Sequence, residues 1–210
     1  WNEVFKLIKE KVLKTQREKI CGFVGDMVNM EASYSFKELF SKVFKNNNCE
    51  SRTDYYYLNA NDRQNYLFNS KIKGIEESDL IILIGTNPRY EATILNSRIR
   101  KSFIHNKTEI FSMSDVGDLT YPYKSINGDT ETIKNISEDN HELSEKIKKA
   151  KKPMIIFGQS SMLLKSSGFI FESLKNFLIQ NNKISNEWNS LNIISNNAST
   201  VGSLDLGIYK

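Results

Sequence analysis

The run Asp79-Leu80-Ile81-Ile82-Leu83-Ile84, closed by Gly85-Thr86-Asn87-Pro88, constrains this chain more than any other stretch. An unbroken aliphatic run without polar alternation reads as a strand buried on both faces, the pattern of a parallel sheet. Gly85 ends the run and Asn87 is a good helix N-cap. Pro88 suits the first helical position, where its missing N–H costs nothing. Beyond it Ala92, Ile94, Leu95, Ile99 and Phe103 recur at roughly helical spacing. The stretch therefore reads as strand, tight turn and helix, with the turn at the carboxyl end of the strand. In open α/β sheets that is where ligands bind.

The rest of the chain repeats the alternation. Lys19 to Gly25, Thr108 to Met113, Lys152 to Gly158 and Ser190 to Ser195 read as further strands. Trp1 to Gln16 carries Val4, Phe5, Ile8, Val12 and Leu13 on one helical stripe, with lysines opposite, and must dock on something. Glu31 to Phe44 is a second amphipathic helix with Tyr34, Phe36, Leu39, Phe40 and Val43 on its apolar face. Ile72 to Glu77 is a short helix. Thr130 to Ala150 gives two short helices with Ile133, Ile136, Leu143 and Ile147 inward. Phe169 to Ile179 is a helix packed through Phe169, Phe171, Leu174, Phe177 and Leu178. Asn46 to Asn69 reads as a long loop over the sheet edge, in which Tyr55-Tyr56-Tyr57 could add a stub of strand and which is a candidate contact surface. Ser114 to Asp129 is a second irregular region, and the tail to Lys210 shows no clear cap. Together these predict an α/β fold, a parallel sheet flanked by helices in the Rossmann-like manner, as one domain over residues 1–210.

Three strands end in glycine before a polar turn, in FVGDM, LIGTN and IFGQS. Such turns let backbone approach a phosphate, or simply release the chain from the sheet. None matches G-x-G-x-x-G or a P-loop, so on chemistry alone turn geometry is the favoured reading.

Composition excludes several classes. The net charge is +4 with a pI near 8.9, but the cations are spread among nearly as many acids, which is no nucleic-acid footprint. No run approaches the roughly 20 apolar residues that cross a bilayer, so the chain is expected to be soluble, or to meet a membrane only through partners. Cys21 sits in an apolar run and is expected as a core thiol, Cys49 in a polar loop. With no C-x-x-C they form no metal or iron–sulfur site, and a disulfide between them is not expected. His105 ends a helix as a C-terminal cap, and His141 reads as a surface residue. Asp115 and Asp118 flank Gly117 and could hold a cation, but loop aspartates more often bond their own backbone. Arg89, and the run Arg98, Arg100 and Lys101, could meet an anion or an acidic neighbour, or lie on a solvated face. No catalytic residue and no metal ligand is assigned. The start at Trp1 is expected of a fragment or a processed product, and the heavy use of Asn, Lys, Ile, Phe and Tyr points to AT-rich coding DNA, organellar or endosymbiont-like.

At this point the chain resembles a known family. GIEESDLIILIGTNPRYEATILNSRIRKSFIHN is similar to the molybdopterin-oxidoreductase-like domain of the 75 kDa iron–sulfur subunit of respiratory complex I, the largest of its peripheral arm. The likeness continues in Val116-Gly117-Asp118-Leu119-Thr120-Tyr121, in Ala150 to Ile156 with Gly158, in Trp188 with Asn192-Ile193, and in Leu204-Asp205-Leu206-Gly207. It is collinear over nearly the whole chain. LIGTNPRYEA with NSRIRKS is the specific part, since related molybdenum enzymes share only a looser G-x-N-P. In those enzymes this turn contacts a pterin guanine dinucleotide. In the complex I subunit the domain is regarded as a relic without molybdenum cofactor.

The resemblance implies a non-catalytic structural domain of the peripheral arm of NADH:ubiquinone oxidoreductase, a proton-translocating complex carrying electrons from NADH to ubiquinone. The turn Gly85, Thr86, Asn87 and Pro88 would be vestigial. No cofactor is expected in this chain, and the iron–sulfur clusters and FMN would lie in partner chains. The expected partners are a cluster-bearing N-terminal half of the same subunit, absent here through a split gene or isolation of a piece, and other peripheral-arm subunits. The expected location is the matrix side of the mitochondrial inner membrane, with membrane contact only through the complex. The alternatives are a fragment of an active molybdopterin guanine dinucleotide-dependent oxidoreductase, or a nucleotide-binding module using the strand-end glycine turns.

Overall fold

In the computed structural model, which describes residues 1–52 and 55–209, the run Leu80–Ile84 forms the middle strand of a five-stranded, all-parallel sheet. The fold class is the α/β arrangement that alternation predicts. Where the sequence reads as one domain over 1–210, the residues group into two compact units, Trp1–Tyr55 with Asn197–Lys210, and Tyr56–Asn196.

The first unit opens with helix α1 (Asn2–Lys14), none of whose residues is buried. Two-residue strands β1 (Gly22–Phe23) and β2 (Cys49–Glu50) pair in parallel. Between them lies α2 (Met30–Glu38), begun by the Asn29 side chain accepting from the Ala32 N–H at 2.8 Å and continued by a π-helical stretch at Leu39–Phe44. Its inward face is narrower than periodicity predicts. Phe36, Phe40 and Phe44 pack in sequence with centroids 4.9 Å apart, the first pair tilted and the second edge-to-face, whereas Tyr34, Leu39 and Val43 are exposed. Gly22 makes room for this ladder, because a Cβ there would meet the Phe40 ring at 2.4 Å and the Phe36 ring at 2.5 Å. The two cysteines exchange their expected places. Cys49 joins Phe40 and Ile208 in the core, and Cys21 is exposed. A two-residue strand has one inward position, and β2 gives it to Cys49; both thiols are free. The tail, read as uncapped, forms a helix at Thr200–Asp205 closed by Gly207 at φ +70°, with the Ile208 N–H donating to the Ser203 carbonyl.

The second unit runs through α3 (Lys71–Gly74), with a 3-10 turn at Ile75–Glu77, then β3 (Leu80–Ile84), α4 (Pro88–Glu91), α5 (Thr93–Asn106), β4 (Glu109–Ser112) and β5 (Lys124–Ser125). It continues with α6 (Thr130–Ser137), α7 (Glu142–Lys149), β6 (Pro153–Phe157), α8 (Gln159–Met162), α9 (Ser167–Gln180) and β7 (Leu191–Ile193). The strand order is β5-β4-β3-β6-β7. Alternate side chains of β3 enter opposite layers. Leu80, Ile82 and Ile84 pack with Ile133, Ile136, Leu143, Ile147, Phe171 and Leu174, while Ile81 and Leu83 pack with Ile75, Leu95 and Ile99. Both faces of the strand are therefore dry, which is why its sequence shows no alternation.

Three details depart from the sequence reading. The helix after Pro88 breaks at Ala92 (φ −150°), and α5 restarts at Thr93. Leu95 and Ile99 face inward with Asn96 and Ser102, whereas Ile94, about 100° from Leu95 around the axis, stands 72% exposed. In α9, Ile170 rather than Phe169 faces the core. The region expected as a loop at Asn46 to Asn69 contains β2 and a 3-10 turn at Arg63–Tyr66. Tyr55, Tyr56 and Tyr57 form no strand, and the Tyr57 N–H donates instead to the Met162 carbonyl at 2.8 Å. Thr53, Asp54 and Lys210 lie outside the described residues.

Candidate functional site

The turn Gly85-Thr86-Asn87-Pro88 leaves the carboxyl end of β3, beside the turn that leaves β6. Gly85 adopts φ +59°, a conformation that favours glycine. A Cβ on it would lie 2.4 Å from the Ser161 nitrogen and 2.6 Å from the Ser161 Cβ. The Gly158 N–H donates to the Ile84 carbonyl at 2.8 Å. The Ser161 hydroxyl donates to the Gly158 carbonyl at 2.7 Å. The LIGTN and IFGQS turns thus interlock, and the glycine that closes β6 serves the glycine that closes β3.

The polar groups of the turn are engaged from within. Thr86 is only 3% exposed and its hydroxyl donates to Glu91 Oε2 at 2.8 Å. The Asn87 N–H donates to Glu91 Oε1 at 2.9 Å. Asn87 Oδ1 accepts from the Arg89 N–H at 3.1 Å, the predicted N-cap, and its Nδ2 donates to the Val116 carbonyl at 2.9 Å. The Glu91 carboxylate therefore supplies the negative charge that the amino end of a helix attracts.

The Asp115–Tyr123 loop closes over the same corner. Arg89 donates to the Asp118 carbonyl at 2.9 Å and to its carboxylate at 2.6 Å. Asn96 donates to the Leu119 carbonyl at 3.0 Å and accepts from the Tyr121 hydroxyl at 2.7 Å. Burial pushes the Tyr121 hydroxyl well above the usual phenol range. Asp115 accepts from the Gly117 N–H and the Tyr123 hydroxyl, and those two bonds, in that order, lower its carboxyl pKa. Asp118 is lowered chiefly by the Thr120 N–H and then by Arg89. The two aspartates bond their own loop, as loop aspartates commonly do, and no group of three or more metal-ligating side chains occurs among the described residues.

The other candidates lie elsewhere. His105 is exposed in the last turn of α5. His141 has a role that its polar setting did not signal: its Nδ1 accepts from the Leu143 N–H at 3.1 Å, making it the N-cap of α7. Arg98 and Lys101 both pair with Glu76, whose carboxyl is lowered first by the Lys101 hydrogen bond. Arg100 is exposed. Glu91, which the sequence places near Arg89 without a role, and Ser161, which it does not single out, complete the turn. Glu91 stands one position beyond the third helical residue where a capping box places its acid, and Ser161 meets Gly85 only through strand order.

A pterin guanine dinucleotide at such a turn needs free donors and an open approach to glycine. Here the Asn87 N–H and the Thr86 hydroxyl are spent on Glu91, a carboxylate that would repel phosphate, and the space beside Gly85 holds Ser161. The residues present do not fit that group.

The sequence model of the Molybdopterin oxidoreductase family matches residues 1–210. The chain is 34% identical over 221 residues to the NADH-ubiquinone oxidoreductase 75 kDa subunit of Reclinomonas americana, covering 99% of this chain and 32% of that protein. It is 32% identical over 207 residues to a subunit of the NADH-quinone oxidoreductase of Rickettsia bellii, covering 99% of this chain and 30% of that one. The same component of Rickettsia prowazekii is 34% identical over 208 residues, again covering 99% and 30%. The chain thus spans about a third of the length of the curated relatives it matches. With its parallel sheet, its strand-end turn and a match along its whole length, the chain belongs to the molybdopterin oxidoreductase family.

Proposed function

We propose that this chain is a cofactor-free structural part of the 75 kDa component of a respiratory NADH:quinone oxidoreductase. It would lie in the peripheral arm on the matrix side of the mitochondrial inner membrane. Its partners are a polypeptide bearing the iron–sulfur clusters of that component and neighbouring peripheral-arm subunits, one of which carries FMN. The observation that carries this reading is the self-filled turn: Glu91 takes its donors and Ser161 takes its space. The names of the relatives support the complex, and no helix among the described residues is long and apolar enough to cross a membrane.

The work of such a part is positional. Electron tunnelling falls steeply with distance, so a rigid element that fixes the spacing of cluster-bearing neighbours contributes to transfer without a reacting side chain. The interlocked ends of β3 and β6, and the Asp115–Tyr123 loop fastened by Asn87, Arg89 and Asn96, supply that rigidity. Native gel separation with mass spectrometry of the host assembly tests the proposal. Co-migration with a separate cysteine-rich polypeptide and an NADH-oxidising flavoprotein is expected; migration apart from both contradicts it.

A further inference from the structure

The exposed face of α1 has the composition of an interface. Val4, Phe5, Ile8 and Val12, with Trp1 stacked on Phe5 at 5.8 Å, fall on one stripe about 100° wide at about 100° per residue. Phe5 is 59% and Ile8 50% exposed. Contiguous apolar stripes of this kind mark contact sites, unlike scattered surface residues. On the same helical wheel Lys9 and Lys11 flank the stripe, with the exposed Leu13 and Leu7 beyond them, whereas Glu3 and Glu10 fall on the far side with Lys6 and Lys14. The unit to which α1 belongs is itself sparse. Its buried hydrophobic cluster is Phe40, Cys49 and Ile208, and its two-stranded parallel sheet gains no third strand among the described residues. A sheet that small needs packing partners.

We propose that α1 docks an amphipathic helix whose apolar stripe is bordered by carboxylates, carried by the part of the 75 kDa component that this chain does not span. This rests on the functional reading above and adds the surface and its chemistry. Counted from Trp1, Val4, Phe5 and Ile8 fall at i+3, i+4 and i+7, the spacing with which one helix meets another. The bordering lysines choose the partner. A second copy of α1 would set Lys9 and Lys11 against the same lysines, which opposes self-association. A lipid surface is disfavoured as well, because on the polar face Glu3 and Glu10 offset Lys6 and Lys14, where interfacial helices carry an excess of cations. The relatives extend over roughly three times the length of this chain, which leaves ample polypeptide to supply the helix.

Zero-length carbodiimide coupling of lysines to carboxylates in the intact oxidoreductase assembly, read by mass spectrometry, tests this directly. Lys9 and Lys11 should be joined to Asp or Glu of the cysteine-rich polypeptide. Coupling of these lysines to a second copy of this chain overturns the proposal. So does finding them uncoupled while Lys107 or Lys124 couples to neighbours, a result that leaves the functional reading standing. Absence of the chain from the assembly overturns both. As a second measurement, Phe5→Glu with Ile8→Glu should leave the circular dichroism of the isolated chain unchanged, since both side chains are already exposed. The same variant should lower incorporation into the assembly by about tenfold or more, the effect of losing about 1.4 kcal/mol or more of docking energy. Unchanged incorporation overturns the proposal. Sedimentation of the wild-type chain with phosphatidylcholine–phosphatidylglycerol vesicles, abolished by the same variant, would assign the stripe to a lipid surface instead and overturn it.

Discussion

A Cβ placed on Gly158 would lie 2.3 Å from the carbonyl oxygen of Gly85 and 2.4 Å from the Cβ of Thr86. Two strand-end turns, separated in sequence by α4, α5, β4, β5, α6, α7 and β6, approach this closely because neither glycine carries a side chain at the contact. In a dinucleotide-binding turn a glycine's missing side chain is room for phosphate. Here that room belongs to the neighbouring turn.

Replacing either glycine by alanine should therefore destabilise the fold. Gly158→Ala is expected to cost about 1–3 kcal/mol through overpacking. Gly85→Ala should cost more, because it adds the left-handed penalty of about 1–2 kcal/mol to a clash with Ser161. Gly117→Ala, at φ +73° with nothing within 4 Å of its would-be Cβ, carries the conformational penalty alone. Urea titration of the three variants should rank them Gly85, Gly158, Gly117.

Glu91 caps the turn from inside. Glu91→Ala removes the acceptor of both the Thr86 hydroxyl and the Asn87 N–H and should cost about 0.5–2 kcal/mol, the range of a lost helix cap. Glu91→Gln keeps one carbonyl acceptor and should lose less. Equal losses in the two variants would show that the hydrogen bonds are not what Glu91 contributes.

The loop carboxylates make the same corner sensitive to acid. Asp115 and Asp118 have folded pKa values below the ordinary carboxylate value of about 3.9. Their stabilisation is thus present above that value and is lost as pH falls through the lowered folded pKa. The backbone amide shifts of Gly117 and Thr120 should titrate below about pH 3.9. The Gly117 titration should vanish in Asp115→Asn, and the Thr120 titration in Asp118→Asn.

Two isoleucines of α5, five residues and about 140° apart around its axis, give a sharp contrast. Ile99→Ala, fully buried, should cost about 2–5 kcal/mol. Ile94→Ala, exposed, should stay within about 0.5 kcal/mol of wild type. Comparable losses at the two positions would contradict the facing of α5.

Legibility followed the range of the interaction. Leu80–Ile84 and Pro153–Phe157 were readable as strands because burial on both faces leaves an unbroken aliphatic run. The inward residues Ile133, Ile136, Leu143 and Ile147 were readable because α6 and α7 keep a regular period. Ile94 was grouped with the inward residues although, about 100° from Leu95 and about 140° from Ile99, it lies off the i, i+4, i+8 line of Leu95, Ile99 and Phe103. Phe169 and Ile170 are neighbours of equal hydrophobicity, so spacing alone did not choose between them. The cysteines were misplaced because β1 and β2 are too short to show a period. In the site, the N-cap Asn87 and the backbone bonds of Asp115 and Asp118 are local and were legible. The filling of the turn by Ser161 was not, since only the pairing of β3 with β6 brings that residue there.

The most direct measurement is the molybdenum and pterin content of this chain, by elemental analysis and by fluorescence of the oxidised pterin, after purification within its host assembly. A turn filled by Ser161 and capped by Glu91 predicts neither above trace. Stoichiometric pterin or molybdenum, lost on substituting Asn87, would contradict the account.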